Sequence, residues 1–185
     1  MNIKKIADTA ILFVINRLIE IFGAIISAFG ILLIISLITY SPEDPNFIFP
    51  ENSEIKNLLG YQGSYVSDLF FQSIGLVSYL VSFTFIFTGI NIFRKKVIFI
   101  IIENFLLIIL YSILGCFFLS AFYNNSFTLH INGNGGFIGL YLTQTFLYNI
   151  LALSFKVFYY ILIILTSILF LLSINFNPIK FYYFL

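Results

Sequence analysis

Residues 21–40 read IFGAIISAFGILLIISLITY, a run with no charged side chain between Glu20 and Glu43. As a helix it rises about 30 Å, the thickness of a bilayer's hydrocarbon core. Pro42 and Pro45 follow at once and cannot continue a helix, so the run ends near Tyr40–Ser41. Three further runs have similar length: 69–93 between Asp68 and Arg94, 97–123 with the single interior charge Glu103, and 157–176 between Lys156 and Lys180. An unpaired backbone group in lipid costs several kcal/mol, so a spanning segment is a helix or a strand of a closed barrel. Barrel strands alternate over about ten residues. These runs are continuously apolar and predict helices.

Composition agrees. Hydrophobic residues make up 61% of the 185 and charged residues 9%, against about 25% charged in soluble proteins, and mean hydropathy is +1.05. So few charges cannot cover a soluble surface, and the partner that must cover it is a lipid bilayer. The net charge of +1 lacks the basic footprint of a nucleic-acid binder. Cys116 is the single cysteine and forms no intrachain disulfide.

The predicted fold class is all-α, a multi-pass transmembrane bundle of four spans at about 21–41, 69–93, 97–123 and 157–176. Residues 1–20 form a cytoplasmic or interfacial segment. Lys4 and Lys5 precede an apolar stretch, but Arg17 and Glu20 interrupt it and no cleavage pattern follows. Residues 6–19 are expected as an amphipathic helix on the inner leaflet, or as a frayed tail. In the outer loop, 41–68, Asn52 is placed to cap a short helix through Leu59 that Gly60 stops. Residues 134–155, which open on Gly135, Gly136 and Gly139 and carry Thr143, Gln144, Thr145 and Asn149, are expected as a re-entrant or interfacial helix. Residues 181–185 are the C-terminal end.

Orientation follows from basic residues in short loops. Lys4, Lys5 and Arg17 flank the first span, and Arg94, Lys95 and Lys96 form the turn between the second and third. The 41–68 loop has Lys56 against Glu43, Asp44, Glu51, Glu54 and Asp68. Both termini and the Arg94–Lys96 turn are therefore assigned to the cytoplasm. Lys156 dissents and is expected to snorkel to headgroups.

Residues for chemistry are sparse. His130 stands in an Asn-rich loop without metal-ligating neighbours, and no glycine is followed by lysine, so a phosphate-cradling loop is missing. No cofactor and no catalytic residue are expected. Glu103 is a functional hypothesis by position, but it falls two turns beyond Lys96 on nearly the same face, and the plainer reading is a carboxylate paired near the inner interface. A small transporter or channel subunit using Glu103 and Gln144 is the alternative, and a membrane-bound enzyme is the weakest reading. Small residues recur along faces: Gly75, Ser78, Ser82 and Gly89 in the second run, Gly23, Ser27 and Gly30 in the first, Ser112, Cys116 and Ser120 in the third. Such stripes let helices approach closely, first of all within one chain, with self-assembly left open. The fourth run is poor in them and should face lipid.

The close of the first span, Tyr40-Ser41-Pro42-Glu43-Asp44-Pro45, resembles the Ser-Tyr-Ser-Pro-x-Asp-Pro signature of the FtsK/SpoIIIE DNA translocases. Asn57, Gly60, Gly63, Ser67, Asp68, Gly75 and Ser78 match that family's pattern leading into the second span. The basic turn Arg94-Lys95-Lys96 and Gly135-Gly136-x-x-Gly139 follow in the expected order. The aromatic that often follows the Asp-Pro step is displaced here to Phe47, and tryptophan is absent. The resemblance implies a four-helix membrane domain that anchors the protein at the division septum of a bacterial inner membrane and contacts other membrane cell-division proteins. It implies a hexamer as the form of any self-assembly. The family's linker, ATP-driven motor and DNA-reading domain are expected outside this chain, which leaves this segment without direct nucleic-acid binding. The turn Ser41–Pro45, the Gly60–Asp68 approach and the Gly75, Ser78 and Ser82 stripe are the expected interaction residues.

Overall fold

The computed structural model describes residues 3–45, 54–123, 132–145, 149 and 154–176. Among these the regular structure is helical: α1 (Ile3–Ile38), α2 (Gly60–Ile74), a 3₁₀ turn (Gly75–Val77), α3 (Ser78–Lys95), α4 (Ile100–Tyr123), α5 (Gly136–Thr143) and α6 (Phe155–Ser173). Four stretches are long and apolar enough to cross a membrane: Asp8–Ile38, Gly60–Lys95, Ile100–Tyr123 and Phe155–Ser173.

The expected division between an interfacial helix at 6–19 and a span beginning at 21 is not seen, because α1 runs unbroken through Glu20. No proline or glycine interrupts residues 3–22. The two charges are neutralised in place, Arg17 pairing with Glu20 one turn on and lying over the Phe13 ring. Lys96 reaches Glu20 from the other side at 3.0 Å. That pair also corrects the partner expected for Glu103. Lys96 sits in the left-handed conformation that ends α3, its N–H on the Ile92 carbonyl, so no single helix carries Lys96 and Glu103.

α1 and α3 pack antiparallel and very closely. A Cβ on Gly23 would lie 2.7 Å from the Gly89 carbonyl oxygen, and one on Gly30 would lie 2.8 Å from the Ile86 nitrogen. The small residues of these two helices are thus consumed by packing within the chain. α4 pairs with α6, where the Tyr123 and Tyr159 hydroxyls bond at 2.8 Å. Polar bonds tie the pairs together: Thr84 Oγ1 lies 2.9 Å from both the Tyr111 hydroxyl and Ser173 Oγ, and Asn104 donates to Thr88 Oγ1 at 2.6 Å. Around them Val77, Val81, Tyr111 and Cys116 form a buried cluster. α6 leaves most of its surface outward, 11% of its apolar window being buried against 44% for the Gly60–Lys95 stretch.

The helix that leads into the second span starts at Gly60, earlier than the expected 69, and bends at Gly75. The Ser36 hydroxyl reaches the Gly63 carbonyl at 2.6 Å, while the Tyr79 hydroxyl reaches the carbonyl of the next residue, Leu37, at 3.2 Å. On one straight helix residues 63 and 79 would be about 24 Å apart along the axis. α2 therefore folds over the end of α1, and Gly75, at φ +59°, makes the turn. α5 rests in the angle: the Leu76 N–H donates to the Asn134 carbonyl at 2.9 Å, and Gly135 and Gly139 lie against Cys116 and Ser120 of α4. Eight residues rise about 12 Å, so α5 alone does not cross a membrane. Residues 146–148 and 150–153 of the expected re-entrant segment, the start of the expected Asn52–Leu59 helix, Phe47, Glu51, His130 and Lys180 lie outside the described residues.

Candidate functional site: a polar clamp where the first helix ends

After Ile38 the chain turns at Pro42 and Pro45, and the prolines carry Asp44 back beneath the following strand of loop. Asp44 is 1% exposed. Its two carboxylate oxygens accept the backbone N–H groups of Lys56 and Asn57, each at 2.9 Å. Two charge-assisted bonds to one buried carboxylate hold the ends of the loop together. Asn57, 4% exposed, extends the link: its amide donates to the Ser36 carbonyl at 2.9 Å, and its Oδ1 accepts the Leu59 N–H at 3.1 Å.

These bonds explain why the expected helix through Leu59 is not formed over residues 54–59. The N–H groups that a helix would use are taken by Asp44 and by the Asn57 side chain. Gly60, at φ +65°, opens α2 instead of stopping a helix. Gly63 then passes so close to Asn57 and Leu59 that a Cβ would overlap them. One turn of α2 seals the clamp, the Ser64 hydroxyl donating to the Pro45 carbonyl at 2.9 Å. The Tyr40 hydroxyl donates to Asp68 Oδ1 at 3.1 Å, and the Tyr40 ring packs on Phe71. Burial, together with the Asp68 carboxylate, pushes the Tyr40 phenol well above its ordinary pKa. On the exposed rim Lys56 pairs with Glu43 and holds that carboxyl below its usual range.

Nine of the singled-out residues, Ser41, Pro42, Asp44, Pro45, Asn57, Gly60, Gly63, Ser67 and Asp68, thus fall in one neighbourhood. Ser41 Oγ accepts the Glu43 N–H at 3.4 Å, and the Ser67 hydroxyl bonds back to the Gly63 and Ser64 carbonyls within α2. Gly75, Ser78 and Ser82 lie apart from them. Gly75 touches Asn134 and Gly136, and the Ser78 and Ser82 hydroxyls bond to carbonyls of their own stretch, Gly75 and Ser78. Arg94, Lys95 and Lys96 are exposed at the far end of α3, whose 18 residues rise about 27 Å. Among the described residues no three His, Cys, Asp or Glu side chains come close enough to hold a metal ion.

Sequence reasoning passed over the polar groups inside the bundle. Thr84, Tyr111 and Ser173 and the Thr88–Asn104 pair link different helices, and Asn134, in the turn before α5, donates its amide to the Tyr123 carbonyl at the end of α4. The available signal was an asparagine in the third apolar run, which lipid would tolerate only with a partner. Glu103 drew notice in its place, yet it is exposed, and it joins none of the ion pairs formed among the described residues. Gln144 follows α5, beside the opposite half of α4, so the two do not line one path.

The family profile described as the 4TM region of DNA translocase FtsK/SpoIIIE matches residues 16–181. The chain is also similar to DNA translocase FtsK of Rickettsia typhi (strain ATCC VR-144 / Wilmington), 28% identical over 46% of this chain and 12% of the relative. It is 30% identical to the Rickettsia bellii (strain RML369-C) protein of that name over 40% of this chain and 10% of the relative. For the Rickettsia prowazekii (strain Madrid E) protein the figures are 30%, 43% and 11%. The chain thus covers about a tenth of the length of these relatives. No solved structure matches. With four apolar helices in the fold and nearly the whole chain matched, the protein belongs to the family of the FtsK/SpoIIIE four-helix transmembrane region.

Proposed function

We propose that this chain is the membrane anchor and assembly module of an FtsK-like DNA translocase acting in bacterial cell division and chromosome segregation. The observation that carries the reading is the clamp: the residues of the translocase signature, Asp44, Asn57 and Gly63, are spent on holding α1, the loop and α2 in one rigid arrangement. That is the chemistry of a scaffold and not of a reaction. A scaffold presents surfaces, and the exposed rim beside the clamp, with Leu58, Tyr61, Glu43 and Lys56, is the proposed contact for membrane cell-division proteins. DNA translocation by the family is assigned to chain outside this segment. Assembly with further copies, as a hexamer, is part of the same proposal, as are the inner membrane, the septum and the cytoplasmic side of both termini.

The test is a fluorescent fusion of this chain expressed in dividing bacteria. Signal concentrated at the closing septum is the expected result, and it should be lost on Asp44→Ala while the protein stays in the membrane. A uniform membrane distribution of the unaltered chain overturns the proposal.

A further inference from the structure

Between α1 and α4, with α3 as its floor, runs an apolar groove of about 260 Å³. Ile25 and Phe29 form one wall, Phe105 and Ile108 the other, and Phe85 and Thr88 the floor. It exists because α1 packs on α3 and α4 packs on α6, so that α1 and α4 stand apart. The polar groups in it are spent on each other, Asn104 donating to Thr88. What remains to be satisfied is carbon surface, inside the membrane-spanning stretches.

Two occupants compete for such a groove, a further helix and a lipid chain. Close helix contact needs small residues on the receiving face. Here Gly23, Gly30 and Gly89 are already used between α1 and α3, and the walls are Ile and Phe. Charge points to the lipid. Lys95 follows Thr88 by seven residues, two turns on the same face of α3, which places it about 10 Å beyond the groove floor at the end of the span. It is exposed and takes part in none of the ion pairs formed among the described residues, whereas Lys96 and Arg17 share Glu20. Glu103 does not oppose it, lying about 200° round α4 from the groove residue Phe105.

We propose that the groove holds one acyl chain of an anionic phospholipid whose phosphate is bound at Lys95. The site is distinct from the clamp and does not depend on the partners proposed above.

The chain has no tryptophan, so Phe105→Trp places a single reporter in the groove. The full chain would be reconstituted in phosphatidylcholine vesicles containing a minor fraction of phosphatidylglycerol, with bromine on the acyl chains of one lipid or the other. Brominated phosphatidylglycerol should quench Trp at 105 about fivefold more effectively per molecule than brominated phosphatidylcholine, the factor expected of one basic side chain facing an anionic headgroup. Lys95→Gln should bring the two lipids level, and Leu165→Trp on the outward face of α6 should show no preference. Ile108→Trp repeats the measurement should Phe105→Trp disturb folding. Equal quenching by both lipids in the groove overturns the proposal. So does a groove reporter that neither lipid reaches, which would place a helix there.

Discussion

Asp44 and Asn57 illustrate how one residue can decide a local conformation against the rule its neighbours suggest. An asparagine before a helix-compatible stretch, closed by a glycine, satisfies the capping pattern. The buried carboxylate nevertheless takes the N–H groups of Lys56 and Asn57, and a group so used cannot also serve a helix. Asp44→Ala leaves the buried Asn57 N–H without a partner, at about 1–3 kcal/mol, and removes the acceptor of the part-buried Lys56 N–H at a smaller cost. The expected outcome is a loss of about 3 kcal/mol in unfolding of the purified chain in detergent, read as a lower midpoint in a thermal or denaturant melt. Asp44→Asn keeps one acceptor and should lose less. Equal stability of Asp44→Ala and the unaltered chain would show that the clamp is not what holds the loop. Inside the bundle the same logic applies on a smaller scale. Thr88 and Asn104 should show a coupling of about 1 kcal/mol in a double-mutant cycle with Thr88→Val and Asn104→Leu, in line with bonds between membrane helices, and a coupling of zero would deny the bond.

At the scale of elements, the α1–α3 pair depends on glycine more than on any apolar contact. Gly23 and Gly89 each face the other helix's backbone, so Gly89→Val must push the helices apart. Phe29 and Phe85 meet across this interface with ring centroids 5.4 Å apart. In a Cys116→Ser background, Phe29→Cys with Phe85→Cys should cross-link readily, and adding Gly89→Val should lower the yield several-fold. Unchanged cross-linking would mean that the glycines do not set the approach. The helices themselves were legible in the sequence, because a run of about twenty uncharged apolar residues has no other stable state in lipid. That these runs carry faces fit for close packing was legible too, from the spacing of Gly23, Ser27, Gly30, Ser82 and Gly89, but that the face of α1 meets that of α3, and not the Ser112, Cys116 and Ser120 face of α4, was not. The bend at Gly75 was not. Its positive φ is stabilised by Asn134, more than fifty residues on, and no local pattern announces a partner at that distance. Asn104 was hidden for a different reason: charge rules single out Glu103, while the neutral neighbour turns inward.

For the whole molecule the open quantity is which end faces which side, and the charges supply a physical argument. α1 and α3 run antiparallel, so Arg17, Arg94, Lys95 and Lys96 gather at one end, with Glu20 and Glu103 near them, while the end with the clamp carries Glu43, Asp44, Glu54 and Asp68 against Lys56 and, at the start of α6, Lys156. Short loops rich in lysine and arginine stay in the cytoplasm, and a loop with one lysine among carboxylates meets little resistance to export. The clamp is therefore expected in the periplasm, with both termini and the Arg94–Lys96 turn inside. Fusing a reporter active only in the periplasm after Lys180 should give no activity, and inserting it after Glu54 should give full activity. The 134–155 stretch enters here, since a full crossing made with it would leave the Glu54 insertion unchanged and reverse the fusion after Lys180. Activity at both positions would thus place a fifth crossing there. Activity after Lys180 alone would show that the basic end faces out and would overturn the charge argument for this chain.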